Sequence, residues 1–320
     1  MFGVVIIGRN EGERLKRCIN SVSVSCPVVY VDSGSTDGSA DWARSQGACV
    51  INLDMTHPFT AARARNEGFQ RLQQLAPSLP FVQFVDGDCE LVDDWFADAV
   101  LFMREHPKAA AACGRRRERY PHASVYNLLC DLEWNTPVGQ TRSCGGDVFM
   151  RVAALAASGG YRNDLIAGEE PELCLRLRSA GWEVWRLPAD MTLHDAAITR
   201  FGQWWKRTKR AGHAFAESAQ LHGKPPERHG VAQTYRALVW GVALPLATIA
   251  LALVHPAWML LLLILPLQVL RLSLRYGIGN VAMRWRALFY VLGRFPEAEG
   301  VLQFWFNRLR HRRSALIEYK

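Results

Sequence analysis

The sequence predicts an α/β fold: a mixed, mostly parallel sheet flanked by helices, with an apolar helical pair and a basic tail behind it. Three observations point there. Short apolar, β-branched runs alternate with stretches of helical periodicity through the first half of the chain. Acidic residues stand where several of those runs end. The positive charge collects near the C-terminus, behind two uncharged apolar segments. Apolar residues make up 49% and charged residues 21% of the 320, which supports a packed core and excludes global disorder.

Taken in order, Phe2 to Gly8 (FGVVIIG) is a buried strand. Glu11 to Val24 has helical periodicity, with Leu15, Cys18, Ile19 and Val22 on one face, and Pro27 stops it. Val28 to Asp32 is a second strand, closed by the turn-rich SGSTDGS, from which Asp37 or Ser39 caps the next helix. Cys49 to Asp54 is a third strand, Thr60 to Leu75 a helix, and Phe81 to Asp88 a fourth strand running into acidic residues. Strand and helix in alternation predict parallel pairing, which places ligands at the carboxyl ends of the strands. Beyond Trp95 the pattern predicts a helix over Asp93 to His106 and strands over Ala109 to Tyr120 and Cys144 to Met150. A helix over Glu169 to Ala180, a strand over Trp182 to Leu187 and a long basic helix over Thr199 to Leu221 follow.

The last third has a different character. Ala237 to Val254 carries no charge, His255-Pro256 interrupts it, and Ala257 to Leu270 is again apolar apart from Gln268. A full membrane span takes about 20 apolar residues, so this is a helical hairpin or a re-entrant pair, with the buried core hairpin of a soluble domain as the alternative. Arg236 precedes it and Arg271 and Arg275 follow, which puts both flanks on the cytoplasmic side. The net charge is +8, and Arg271 to Lys320 holds ten Lys or Arg against three Asp or Glu. A basic tail suits nucleic acid or an anionic membrane, and the apolar pair in front of it favours the membrane. Its helices mix Leu, Phe and Trp with arginine, as expected for a headgroup interface. The eight cysteines form no CxxC pair and lack zinc spacing, and Met1-Phe2 leads straight into the first strand. These features predict a chain without a signal peptide, in a reducing compartment, free of disulfides.

Three acidic features carry chemistry. In Asp86-Gly87-Asp88, two carboxylates at a strand end cannot both be buried unpaired, and such a pair holds Mg²⁺ or Mn²⁺ when it is not simply a solvated turn. Asp32, at another strand end, is able to accept from a base or a ribose hydroxyl. Glu169 and Glu170 open a helix, where the dipole favours negative charge, and either is able to act as a general base.

In order, these features and the opening IIGRNEG resemble the family-2 glycosyltransferases of GT-A fold, over about Phe2 to Ala216. The resemblance implies that Arg9, Asn10 and Glu11 contact the donor nucleotide, with Asp32 and Ser33 at the nucleoside. The family often has a second Asp where Ser33 stands. AARARNEG is similar to the family's ARN-x-G helix, which implies Arg65 and Asn66 near the donor. Asp86 and Asp88 match its DxD metal motif, Asp86 also touching the donor, and His194 falls where many GT-A enzymes have a third metal-binding residue. Gly145, Gly146 and Asp147 resemble the strand lining the acceptor side. Glu170 stands where the family has its catalytic Asp, which leaves Glu169 and Glu170 both as candidates. Trp204 and Trp205 are candidates for an acceptor site and Arg207 for the diphosphate, although the QxxRW pattern of processive synthases is absent.

The implied activity is inverting transfer of a sugar from a nucleotide-sugar, with UDP the default nucleotide, aided by a divalent cation. The apolar pair suggests a lipid-linked glycan acceptor, of the polyprenyl type used in exopolysaccharide or lipopolysaccharide assembly. The expected location is the cytoplasmic membrane, with the catalytic domain facing the cytoplasm. Transfer straight to polyprenyl phosphate and a non-catalytic scaffold subunit are the alternatives. Self-association or partners in an assembly complex are compatible with it, and nucleic acid is not an expected partner. The expected domains are 1–221 catalytic, 222–235 linker, 236–272 hairpin and 273–320 tail.

Overall fold

The structure, a computed structural model, describes residues 1–312 and 316–318. Parts of the expected basic tail, residues 313–315 and 319–320, lie outside the described residues. The chain divides into two compact units, one of residues 1–120 and 133–196 and one of residues 121–132 and 197–320.

The first unit is built on one sheet. Its strands are β1 (Phe2–Gly8), β2 (Val28–Asp32), β3 (Cys49–Asn52), β4 (Phe81–Asp86), β5 (Cys89–Leu91), β6 (Ala109–Glu118), β7 (Gly139–Gln140), β8 (Val148–Arg151) and β9 (Glu183–His194). Their order is β3-β2-β1-β4-β8-β6-β9-β5, with β7 also on β9. The β1–β2, β1–β4, β2–β3 and β6–β9 pairs are parallel, whereas β8 runs antiparallel to β4 and β6. This is the mixed, mostly parallel α/β sheet expected. Alternate residues feed two cores: Val5, Ile7, Val29, Val31 and Phe84 point to one face, and Val4, Ile6, Tyr30, Phe81 and Val85 to the other. Both faces are covered, which is why these strands read as continuous apolar runs.

The helices of this unit are α1 (Glu13–Asn20), α2 (Ser39–Ser45), α3 (Ala61–Leu75), α4 (Trp95–Glu105), α6 (Val152–Ala157) and α7 (Glu169–Ser179), whereas α5 (Val125–Trp134) falls mostly in the second unit. Thr60 caps α3 by accepting from the Arg63 amide. The α2 cap position is Gly38 with no side-chain bond, in place of Asp37 or Ser39. Two expected strands differ. The run beginning at Cys144 becomes a strand only at Val148, after Gly145 takes φ 112°, and β9 extends past Leu187 to His194. Its second half pairs with β5, Cys89 opposite His194, and with the basic end of β6. That pairing is tertiary, and no local periodicity announces it.

The second unit is helical. It contains α8 (Phe201–His222), which groups with the C-terminal helices. Helix resumes inside the expected linker: α9 (Val231–Leu238), a π-helical turn and α10 (Leu244–Ala252) form one helix, Val231–Ala252. A 3₁₀ stretch and α11 (Ile264–Tyr276) form a second, Pro256–Tyr276. Both are long and apolar enough to cross a membrane, with mean hydropathy 1.5 and 2.0. The tail follows as α12 (Val281–Leu292) and α13 (Arg294–Leu309). Not all of this tail is free to lie in an interface, because α13 buries Ala298, Val301 and Phe304 against Ala216 and Ala237. Gly212 and Gly300 explain the grouping of α8 with α13. A Cβ on either would lie 2.0 Å from a carbonyl oxygen of the other helix, Glu297 or Lys209, so only glycine permits this approach.

Candidate active site

The first unit brings the acidic features to the carboxyl ends of its parallel strands. Register puts Asp32 opposite Gly8 and Asp86 opposite Ile7, on the two sides of β1. Two strand spacings separate them, about 10 Å. Asp32 ends β2 and is buried, accepting from Tyr30 Oη at 3.0 Å and from the Gly34 and Ser35 amides at 3.0 and 2.9 Å. Asn10 has φ 55°; its amide donates to Ser35 Oγ and its Oδ1 accepts from the Thr36 amide, so the Arg9–Glu11 loop is tied to the turn after Asp32. Arg9 is exposed, and Glu11 pairs with Arg14 at 2.9 Å.

Arg65 joins the second and third acidic features. It is 2% exposed; one terminal nitrogen donates to Asp86 Oδ1 and the other to Glu169 Oε1, both at 2.7 Å. Burial works against the guanidinium charge, and the two carboxylates outweigh it. Burial likewise raises Asp86, but Arg65 and Arg116 hold its carboxyl below the usual range. Gly146 belongs here for a steric reason, since a Cβ would come within 2.6 Å of the Arg65 guanidinium and 2.8 Å of Asp86 Oδ2. Asn66, next along α3, braces the neighbouring loop. Its Nδ2 donates to the Tyr161 carbonyl and Asn163 Oδ1, and its Oδ1 accepts from the Tyr161 amide.

Asp147 is a framework residue. It is 1% exposed, and its oxygens accept from the Asp86 amide, Arg116 Nε and Thr192 Oγ1 at 2.8–2.9 Å. Arg116 was not singled out in the sequence, although it belongs to the basic end noted for β6. It bridges Asp147 at 2.7 Å and Asp86 at 3.1 Å.

Asp88 sits in the turn between β4 and β5, and the β5–β9 pairing delivers His194 to it: Nε2 to Asp88 Oδ2 is 3.3 Å. Asp88, Cys89 and His194 offer oxygen, sulfur and nitrogen atoms all within 4.8 Å of one another. Carboxylate and imidazole suit Mn²⁺, for which the soft Cys89 thiol is a poor ligand. Behind the imidazole, Glu118 Oε2 accepts from the Ala196 amide and stands 3.5 Å from Nδ1, without a hydrogen bond to it, close enough to favour charge on the ring. The donor set therefore fits a divalent cation.

At α7, the positive φ of Gly168 (78°) turns the chain so that Glu169 and Glu170 enter the site's wall. The two glutamates are then distinguishable. Glu169 is tied to Arg65, while Glu170 accepts on Oε1 from the Cys144 amide at 2.7 Å and from the Cys174 thiol at 2.9 Å. Its Oε2 is buried with no hydrogen-bond partner among the described residues. Burial raises the Glu170 carboxyl above the usual range, against the lowering effect of these donors. The Cys144 hydrogen bond pulls Cys174 down, but burial and Glu170 carry it up to about 12, so it remains an S–H donor. Ser33 Oγ and Arg65 Nε are also buried and unpartnered among the described residues. A polar ligand at this site would satisfy them.

Trp204, Trp205 and Arg207 lie on α8, in the helical unit. Trp204 is buried with its ring centroid 4.8 Å from that of Phe289, and Trp205 Nε1 donates to Glu299 at 2.7 Å. Packing within that unit accounts for both.

Residues 3–142 match the profile of Glycosyl transferase family 2. The chain is 25% identical over 223 residues to Glycosyltransferase AglE of Haloferax volcanii, covering 65% of this chain and 71% of that one. Among solved structures it is similar to the mannosyltransferase PcManGT from Pyrobaculum calidifontis in complex with GDP-Man and Mn²⁺. That match has a TM-score of 0.64 at 21% identity, over 94% of this chain and 86% of that one. GalNAc-T7 with UDP, GalNAc and Mn²⁺ is similar at TM-score 0.51 and 15% identity, over 77% of this chain and 51% of that one. At these identities the two structures establish the fold, which is GT-A-like.

Proposed function

We propose that this chain, whose residues 3–142 carry the family-2 glycosyltransferase profile, is an inverting, metal-dependent enzyme that moves a sugar from a nucleotide-sugar to a lipid-linked glycan at a membrane. One observation carries the reading: beyond the end of β4, Arg65 bonds both Asp86 and Glu169, the neighbour of Glu170, and His194 meets Asp88, so groups from distant parts of the sequence gather there.

Asp32, with its Tyr30 and amide partners, is the acceptor for a nucleoside hydroxyl or base, and Ser33 Oγ is free to add a bond. Asp88 and His194 would hold the cation, with Asp86 beside them. That cation supplies charge neutralisation on the departing nucleoside diphosphate. Arg65 helps keep Asp86 ionised and holds Glu169 in place. Glu170 is the general base. Its Oε1 is clamped by two donors, leaving Oε2 to take the acceptor hydroxyl's proton as that oxygen attacks the anomeric carbon. A single displacement of this kind inverts the anomeric configuration. The two apolar helices and the basic flanks support an acceptor held at the cytoplasmic face of a membrane.

The test is a donor screen with full-length chain in membranes, with UDP- and GDP-sugars and Mn²⁺, reading released nucleoside diphosphate. One donor should release it, and Glu170→Gln and Asp88→Ala should each abolish release with the fold intact. Release by Glu170→Gln at the wild-type rate would overturn the base assignment.

A further inference from the structure

Within the helical unit, α11 and α12 pack through Leu272, Ala287 and Val291, and beside that contact they leave a cavity of about 440 Å³. Val269, Leu270, Val281, Trp285 and Leu288 supply most of its wall. With Leu270, Val281, Trp285 and Leu288 all exposed, it is an open apolar groove, and ~300–1,000 Å³ is the usual range of small-molecule sites.

The wall has one charged member, Arg284. It is exposed and has no acidic partner among the described residues, and the same holds for Arg271 and Arg275 on α11. No Asp or Glu occurs anywhere from Arg228 to Pro296. A cation on an apolar wall, in a stretch of chain without carboxylates, calls for an anion brought by the ligand itself.

We propose that this cavity binds the chain of an isoprenoid phosphate, with Arg284 at the phosphate and the apolar wall along the hydrocarbon. One cavity receives one chain, which selects a single-chain phosphorylated lipid over a two-chain phospholipid. The choice of an isoprenoid over another single chain rests on the acceptor proposed above. Binding itself needs neither donor nor metal, so it is tested apart from transfer.

The experiment is equilibrium binding of radiolabelled farnesyl phosphate to the full chain in phosphatidylcholine nanodiscs, with empty nanodiscs as blank. Farnesol, inorganic phosphate and dioleoyl phosphatidic acid serve as competitors. Saturable binding is expected, weakened about tenfold or more by Arg284→Gln and by Leu270→Trp, which fills the cavity. Val281→Phe does the same from the α12 side if Leu270→Trp does not fold. Farnesol and inorganic phosphate should each compete at least tenfold more weakly than unlabelled farnesyl phosphate. Wild-type affinity in folded variants, equal competition by farnesol or inorganic phosphate, or equal displacement by phosphatidic acid would each overturn the proposal. Binding that persists in a chain that releases no nucleoside diphosphate would sink the transfer reading and leave this one standing.

Discussion

Cys174→Ala removes one of the two donors that hold Glu170 Oε1, the thiol 2.9 Å away, and leaves the Cys144 amide at 2.7 Å. A hydrogen bond to a charged group contributes about 1.5–3 kcal/mol, and the weak S–H donor falls below that range, at roughly 1 kcal/mol. Losing a donor to the ionised form should therefore raise the Glu170 carboxyl further. It already lies above the usual glutamate range because it is buried. A general base works only when ionised, so the acid limb of the pH–rate profile should sit above the ordinary glutamate value of ~4.3 and move up further in the variant. The alkaline plateau should change little. Cys174→Ser keeps a hydroxyl donor and should return the limb most of the way. The assay is kcat for nucleoside diphosphate release against pH, at saturating donor and Mn²⁺. An unmoved limb, or an equal loss of rate at every pH, would refute the view that Glu170 titrates as the base and that Cys174 positions it.

Glu170→Gln should raise the melting temperature at pH 7–8 while removing activity. A carboxyl whose folded pKa is raised favours the fold below its unfolded pKa and loses that contribution as pH climbs through the folded value, so the neutral amide avoids the cost. Arg65→Met should cost about 3–5 kcal/mol in urea unfolding, because it leaves Asp86 and Glu169 facing without their shared cation. The Asp86 share of stability is present at neutral pH and fades as pH falls through its lowered pKa, and it should shrink in this variant, where Arg116 alone remains beside Asp86. Glu118→Gln should weaken Mn²⁺ binding in calorimetry, by removing the negative charge beside the imidazole of His194. Gly212→Ala should destabilise the helical unit by about 1–3 kcal/mol or more, since its Cβ would lie 2.0 Å from the Glu297 oxygen.

Much of the sheet was legible because a strand buried on both faces writes itself as an uninterrupted apolar run. β1 and β2 have the bounds that reading assigns them. The carboxylates at their ends were legible for the same reason, as abrupt polar interruptions. Short strands were not: β5 has three residues and β7 two, too few to show a period, yet β5 brings His194 to Asp88. Arg116 hid in a run of basic residues that also reads as a solvated strand end. The cysteines were legible only as thiols without metal spacing, and the Cys174 contact with Glu170 comes from an i, i+4 step on a helix face whose outlook no single sequence reveals.

By itself the sequence determined what local periodicity and composition control: alternating strands and helices, acidic residues at strand ends, two uncharged apolar helices and a cationic stretch without carboxylates. Only the tertiary structure decided how the acidic groups are used. It committed Asp147 to the framework, set Glu169 against Arg65, left Glu170 Oε2 without a partner among the described residues, and drew α8 into the helical unit. The physical reason is distance along the chain. Arg65 and Glu169 are 104 residues apart, and the free energy that joins them depends on burial and geometry that neither local sequence contains.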